Sequence, residues 1–228
     1  MYLKKHLANI LTLINLSLGL TAIFIGLISS NVILSSILIL TGVLFDFLDG
    51  KVARFFQIEN EYGKQLDSFA DMITFGIGPS VIIFLLINEY DIYLAYVAFI
   101  IPIFSALRLS KYNIDKKQGD YFIGLTTTTN AILFSSIPLI REFNNIEIIN
   151  SLIDNKYFLA SITIFFSFLL VSKIKTFSLK FNNASKFEKK IKTSFLIISF
   201  ILIFILQFLS IPIIIFFFIL FFFIFKAK

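Results

Sequence analysis

Long apolar runs alternate along the chain with short polar or charged breaks. Runs near the ~20 residues that carry an α-helix across bilayer hydrocarbon predict transmembrane helices. The pattern places them near 9–29, 33–53, 67–87, 92–110, 121–140, 157–172, 193–207 and 209–225. The expected fold is all-α, a polytopic transmembrane helical bundle of about eight spans. The last two runs meet around Ser210 and Pro212, which predicts a tight turn or a re-entrant segment there. The first run follows Lys4 and Lys5, and no small-x-small cleavage pattern follows it, so it reads as a retained span.

Charge orders these spans. With eight of them, 18 of the 20 Lys and Arg residues share one side: the N-terminus, the loops after the second, fourth and sixth spans, and the C-terminus. Only Arg141 and Lys156 fall opposite, beside Glu89, Asp91, Glu142, Glu147 and Asp154. Because Lys and Arg accumulate in cytoplasmic loops, both termini are expected in the cytoplasm. The lysine-rich stretch 173–192 reads as a topology signal that also touches anionic headgroups, so no nucleic-acid partner is expected. Composition agrees: 15% charged residues and a mean hydropathy of +0.92 leave too little polar surface for a soluble domain. The absence of cysteine excludes disulfides and thiolate sites, and a single histidine, His6, excludes a histidine-cluster metal site.

The stretch that carries chemistry is Asp46-Phe-Leu-Asp49-Gly50-Lys-Val-Ala53-Arg54, followed by Gly63-Lys-Gln-Leu-Asp67-Ser-Phe-Ala-Asp71. Asp46 and Asp49 share one helix face at the end of the second span. Asp67 and Asp71 share a face at the start of the third. Two antiparallel neighbours would present four carboxylates to one pocket at the membrane surface. Such a group needs compensating positive charge, and acids at membrane depth are usually functional. All-oxygen ligation points to one or two hard divalent ions, Mg²⁺, Mn²⁺ or Ca²⁺. Gly50 and Ala53 would let a nucleotide or phosphate approach the backbone, and Arg54 can fork onto a phosphate. Helix-end charge alone would account for Asp67, and for Asp71 less well, but not for Asp46 inside an apolar run.

This spacing, Asp-x₂-Asp-Gly-x₂-Ala-Arg-x₈-Gly-x₃-Asp-x₃-Asp, resembles the signature of the CDP-alcohol phosphatidyltransferases at all eight fixed positions. The resemblance implies that Asp46, Asp49 and Asp67 bind metal, and that Asp71 is both ligand and general base. It further implies that Gly50, Ala53 and Arg54 hold the CDP moiety beside Asp46, Asp49 and Asp67, while Gly63 shapes the turn into the third span. Two divalent ions, Mg²⁺ or Mn²⁺, a CDP-activated lipid substrate, surrounding membrane lipids and a homodimer are implied as well. The active site would face the cytoplasm from the cytoplasmic membrane.

Weaker similarities bear on the acceptor. Asn9-Ile-Leu-Thr12-Leu-Ile-Asn15 resembles the first helix of the serine-transferring members of the family, the phosphatidylserine synthases, and puts Asn9 and Thr12 on the nucleotide side. Asp71-Met-Ile-Thr-Phe-Gly76-Ile-Gly78-Pro79, Ala106-Leu-Arg108-Leu-Ser-Lys111-Tyr-Asn113 and Tyr121-Phe-Ile-Gly124-Leu are similar to later segments of the same group. Arg108 and Lys111, with Asn113 beside them, would meet the carboxylate of L-serine. After Gly124-Leu125 the chain reads Thr126-Thr-Thr-Thr-Asn130, where those synthases carry proline and then small residues. The expected activity is transfer of a phosphatidyl group from CDP-diacylglycerol, or its archaeal ether counterpart, to L-serine with release of CMP. Glycerol 3-phosphate, inositol phosphate or an amino alcohol is the alternative acceptor, and a cation transporter is the alternative of another class. Residues 1–145 are expected to form the catalytic core, and residues 146–228 to add helices to the same membrane domain.

Overall fold

The computed structural model describes residues 2–58, 60–114, 122–172, 175–176 and 186–225. Among the charge and motif positions above, Lys116, Lys117, Tyr121, Lys173, Lys180, Lys226 and Lys228 lie outside the described residues.

Helices α1 (Tyr2–Ser29) and α2 (Val32–Phe55) form a pair joined at Ser30 and Asn31. Asn31 starts α2 by accepting from the Leu34 N–H at 2.9 Å, and Ser35 Oγ donates to the Ala22 carbonyl at 2.7 Å. The third column, α3, runs Glu61–Asn88. It is α-helical over Glu61–Asp71, widens into a π-helix over Met72–Ile77 and closes again over Gly78–Asn88. It begins at Glu61 instead of the expected 67 because Asn60 caps it, accepting from the Gly63 N–H at 2.8 Å. The fourth, α4 (Ile92–Ile114), passes through a 3₁₀ turn at Tyr96–Phe99.

The fifth helix, α5 (Thr127–Phe143), starts later than the expected 121. Gly124 sits at φ +75°, and Thr126 then caps the helix by accepting from the Thr129 N–H at 3.0 Å. A Cβ on Gly124 would lie 2.5 Å from the Leu170 carbonyl oxygen, so this close approach requires glycine. Two elements were not expected: a short α6 (Glu147–Ile153), and a two-residue antiparallel ladder of β1 (Phe122–Ile123) with β2 (Lys175–Thr176). Helix α7 (Lys156–Val171) follows α6 at a 71° bend.

Helices α8 (Lys186–Leu206) and α9 (Ser210–Phe225) are linked by a 3₁₀ turn at Gln207–Leu209. Helical structure is unbroken over Thr193–Leu220, yet the Phe195 and Phe218 rings lie 6.3 Å apart. A straight helix would separate these residues by ~35 Å. The chain therefore turns back on itself, and Gln207, at φ 47°, lies in the turn. Among the described residues, five helical stretches, Thr193–Leu220 counted as one, are long and apolar enough to cross a membrane, and α6 with α7 adds a sixth if that bent pair is one span. These helices mark an integral membrane protein.

Helix α3 is the centre. Phe75, Ile82, Ile83, Leu86 and Ile87 on it are buried, as expected for a helix apolar all round. Helix α1 reaches it at a close crossing: a Cβ on Gly19 would lie 2.2 Å from Thr74 Oγ1 and 2.7 Å from Thr74 Cα. Phe200 and Phe204 on α8 are 73% and 84% exposed, the surface expected against lipid.

The bundle has two polar ends. One holds the aspartates. At the other, Arg141 bridges Glu89 and Asp154 at 3.1 and 2.8 Å, and Lys156 meets Asp91 at 2.9 Å. The two basic residues that depart from the charge segregation are thus each neutralised by an acid.

Two predictions arise here. Gly19→Val is expected to cost about 1–3 kcal/mol through overpacking against Thr74, read as a lower thermal midpoint of the detergent-solubilised protein. An unchanged midpoint would show that this crossing is not close-packed. The Asp91 carboxyl is held below the usual carboxylate range, first by the Lys156 ammonium and then by the Leu94 and Tyr93 N–H groups. Its contribution to stability is present above the unfolded value near 4 and is lost as pH falls through the depressed folded value. Asp91→Asn should therefore flatten the loss of stability below about pH 4; an acid profile like that of the parent protein contradicts this.

Candidate active site

The end of α2 and the start of α3 bring the acids together. Carboxylate oxygens of Asp46, Asp49 and Asp67 lie within 4.8 Å of one another, as the two helical spacings require. The fourth, Asp71, lies one turn deeper than Asp67 and beside Asp46. Carboxyl groups gathered so closely share either protons or a cation. Directly beyond Asp71 the helix widens into its π segment, a distortion that concentrates at functional sites.

Each carboxylate has a distinct environment. Asp49 is 5% exposed and accepts from Thr12 Oγ1 at 2.6 Å, which links α1 to the cluster. Among the described residues, Asp67 Oδ1 and Asp71 Oδ1 are buried without a hydrogen-bond partner. Buried, unpartnered carboxylate oxygens within such a cluster fit a hard divalent cation, and the donor set is all oxygen. Asp46, Asp49, Asp67 and Asp71 are the residues that could hold it.

An open cleft of about 590 Å³ leads to the acids from the surface. Asn9, Thr12, Asp49, Gly50, Ala53, Arg54, Gly63 and Asp67 all line it, so the predicted nucleotide-side residues other than Asp46 converge on one hollow. A Cβ on Gly50 would stand 3.4 Å from an Arg54 guanidinium nitrogen, so the glycine leaves that group room to lie along the helix. Gly63 departs from expectation: it lies within the first turn of α3, not in the turn before it, which Asn60 shapes. A Cβ there would face Asn9 Oδ1 at 3.4 Å, across the cleft.

The acceptor candidates separate. Arg108 is half-buried near Asp71, its Nη1 donating to Thr127 Oγ1 at 3.3 Å and its Nε without a partner among the described residues. Lys111 is exposed and does not line the cleft. Asn113 is engaged across the helix interface, where its Nδ2 donates to Ser68 Oγ at 2.9 Å. Sequence reasoning missed Tyr112 and Lys64, which line the cleft with the ammonium of Lys64 5.8 Å from the Tyr112 ring centroid. Helical spacing carried the signal, since Tyr112 is four residues after Arg108 and Lys64 three before Asp67.

The sequence model of the family described as CDP-alcohol phosphatidyltransferase matches residues 5–152, more than half of the chain. The chain belongs to the CDP-alcohol phosphatidyltransferase family. A Bacillus subtilis relative named CDP-diacylglycerol–serine O-phosphatidyltransferase is 34% identical over 178 residues, covering 75% of this chain and 89% of the relative. A Methanocaldococcus jannaschii relative of the same name is 31% identical, covering 74% and 72%. A Methanothermobacter thermautotrophicus relative named archaetidylserine synthase is 32% identical, covering 62% and 61%. The family match runs past the first four helices and through α5, so it takes in every acid of the cluster as well as Arg108 and Thr127.

In this CDP-alcohol phosphatidyltransferase, Thr12 supports a ligand candidate. Thr12→Val keeps the shape and deletes the bond to Asp49. It is expected to raise the Mn²⁺ concentration for half-maximal activity by about 10-fold or more, as loss of a ligand's orienting partner does. An unchanged metal requirement would mean that Thr12 does not orient Asp49.

Proposed function

We propose that this protein transfers a phosphatidyl group from CDP-diacylglycerol, or its ether-lipid counterpart, to L-serine and releases CMP. The observation that carries this reading is the convergence of Asp46, Asp49, Asp67 and Asp71 at the inner end of a cleft lined by the CDP-side residues of the motif. Relatives named for serine transfer, and Arg108 placed near Asp71, support L-serine as the acceptor.

In this mechanism the cleft takes the cytidine and diphosphate, with Arg54 and Lys64 supplying positive charge along its wall. Arg108, through its unpartnered Nε, takes the acceptor carboxylate, with Lys111 one turn on at the surface. Asp71 Oδ1 accepts the proton of the acceptor hydroxyl. The freed oxygen forms a bond to the lipid-side phosphorus. The bond from that phosphorus to the bridging oxygen breaks, and its electron pair leaves with CMP. Two divalent ions, Mg²⁺ or Mn²⁺, held by the four aspartates, would supply neutralisation of the charge developing on the diphosphate.

Residues 1–145 form the catalytic core in this reading, and residues 146–228 complete the same membrane domain. The hairpin of α8 and α9 supports eight spans, and that count with the lysine segregation supports a cytoplasmic location for both termini and the cleft, at the cell membrane. A water-soluble acceptor then meets the lipid at the interface. The working unit is a homodimer, as the family resemblance implies. A cation transporter would need acids along a path through the bilayer, whereas these cluster at one end of the bundle.

The test is CMP release by purified protein with CDP-diacylglycerol and Mn²⁺, comparing L-serine with glycerol 3-phosphate, inositol phosphate and ethanolamine. Release is expected with L-serine and should fall by about 10²–10⁴-fold in Asp71→Asn. Preferential release with a different acceptor would overturn the serine assignment.

A further inference from the structure

Thr74 is fully buried inside the π segment of α3, wedged between two glycines. A Cβ on Gly42 of α2 would lie 2.9 Å from its Cγ2, and one on Gly19 of α1 would overlap its Oγ1. The methyl therefore faces α2 and the hydroxyl faces α1. Hydroxyls on these helices commonly bond back to the carbonyl four residues earlier, as those of Thr21, Thr41, Ser68 and Thr163 do. Thr74 instead donates from Oγ1 across to the Asn15 carbonyl of α1, at 3.1 Å. One turn back along α1, Thr12 donates to Asp49. A single turn of α1 thus ties both of the helices that carry the acids.

The π segment needs such an anchor. The Gly78 N–H reaches back five residues to the Ile73 carbonyl, so this turn holds one residue more than an α-helical turn. Such turns are rare, and an uninterrupted α-helix is the alternative open to the chain. One added residue rotates the part of a helix before it by ~100° against the part after it. The deep part of α3 keeps Ile82, Ile83 and Leu86 in the core, while the outer part carries Asp67 and Asp71 to the acids of α2. With the deep part held by its packing, relaxation of the π turn to α-helix would swing Asp71 away from Asp46.

We propose that the Thr74 hydroxyl is a latch: bonded to the Asn15 carbonyl, it holds the π turn in place and so positions Asp71 against Asp46. Thr74 touches no substrate in this account and does not line the cleft. It is a positioning residue that acts through Asp71. This rests on the reading of Asp71 as base and metal ligand, and extends it to the residue that aims it.

The experiment compares Thr74→Val, which keeps the shape and deletes the hydroxyl, with Thr74→Ser, which keeps the hydroxyl and deletes the methyl. The full-length protein is read in two ways. One is kcat and KM for CMP release with CDP-diacylglycerol, L-serine and Mn²⁺; the other is Mn²⁺ affinity by electron paramagnetic resonance without substrate. Thr74→Val is expected to lose kcat by about tenfold or more, with KM for CDP-diacylglycerol within about threefold, since a small misplacement of a reacting group is costly while the cleft wall is intact. Its Mn²⁺ affinity should fall several-fold, as when a ligand loses its orienting support. Thr74→Ser is expected to keep kcat and Mn²⁺ affinity near the parent values, even with a lower thermal midpoint. A packing role gives the reverse order, Thr74→Val near the parent and Thr74→Ser impaired, and overturns the latch. Equal effects of the two substitutions overturn it as well. If Thr74→Val does not fold, Thr74→Ala takes its place, because it differs from Thr74→Ser by the hydroxyl alone. A parent protein that releases no CMP with L-serine, while the contrast in Mn²⁺ affinity stands, loses the serine reading and keeps the latch.

Discussion

Like charges held at close quarters are the constraint around which this bundle is arranged. Asp46, Asp49 and Asp67 present oxygens within 4.8 Å of one another, and Asp71 leans on Asp46. At that separation each ionised pair repels by at least about 3 kcal/mol at an effective permittivity of 20. Neither helix end would hold two such groups against the other two without a positive charge between them. The surrounding structure fixes the geometry from outside. Thr12 pins Asp49 from α1, Asn60 starts α3 early enough to carry Asp67 into place, and the π segment begins at the residue after Asp71.

The rest of the bundle makes that arrangement rigid. Gly19 allows α1 to cross against Thr74 without an intervening side chain, and Gly42 faces Asn15 and Thr74 from α2. These contacts lie one turn below the acids, so three helices meet there at backbone distance. The far end is tied separately by Arg141 and Lys156, whose acids keep the few basic residues of that face paired. Between the two ends the buried part of α3 carries no charge, and its buried hydroxyls Thr74 and Ser80 donate to backbone carbonyls, which leaves ionic chemistry to the ends of the bundle.

The fold class was legible in the sequence because apolar runs of membrane length are rare in chains that fold in water. The acids were legible too, because helical spacing put each pair on one face. Helix boundaries were less accessible. Asn60 as a cap for α3, and Gly124 with Thr126 as a delay before α5, act through local geometry that an apolar run does not reveal. Neither the bend between α6 and α7 nor the β1–β2 ladder has a hydropathy signature. At the site, Arg108 lies near the acids while Lys111 is exposed and Asn113 is bonded to Ser68. Sequence proximity grouped these three, whereas the helical repeat turns Asn113 to another face and puts Tyr112, four residues after Arg108, where it lines the cleft.

The central claim is that carboxylates from two different helices form one divalent-ion site. The most direct measurement is binding of Mn²⁺ to the purified protein by electron paramagnetic resonance, without substrate, in the parent chain and in Asp46→Asn and Asp67→Asn. The account predicts bound Mn²⁺ in the parent and a loss of affinity of an order of magnitude or more in both variants, although they lie on separate helices. Affinity unchanged in either variant would contradict a shared site.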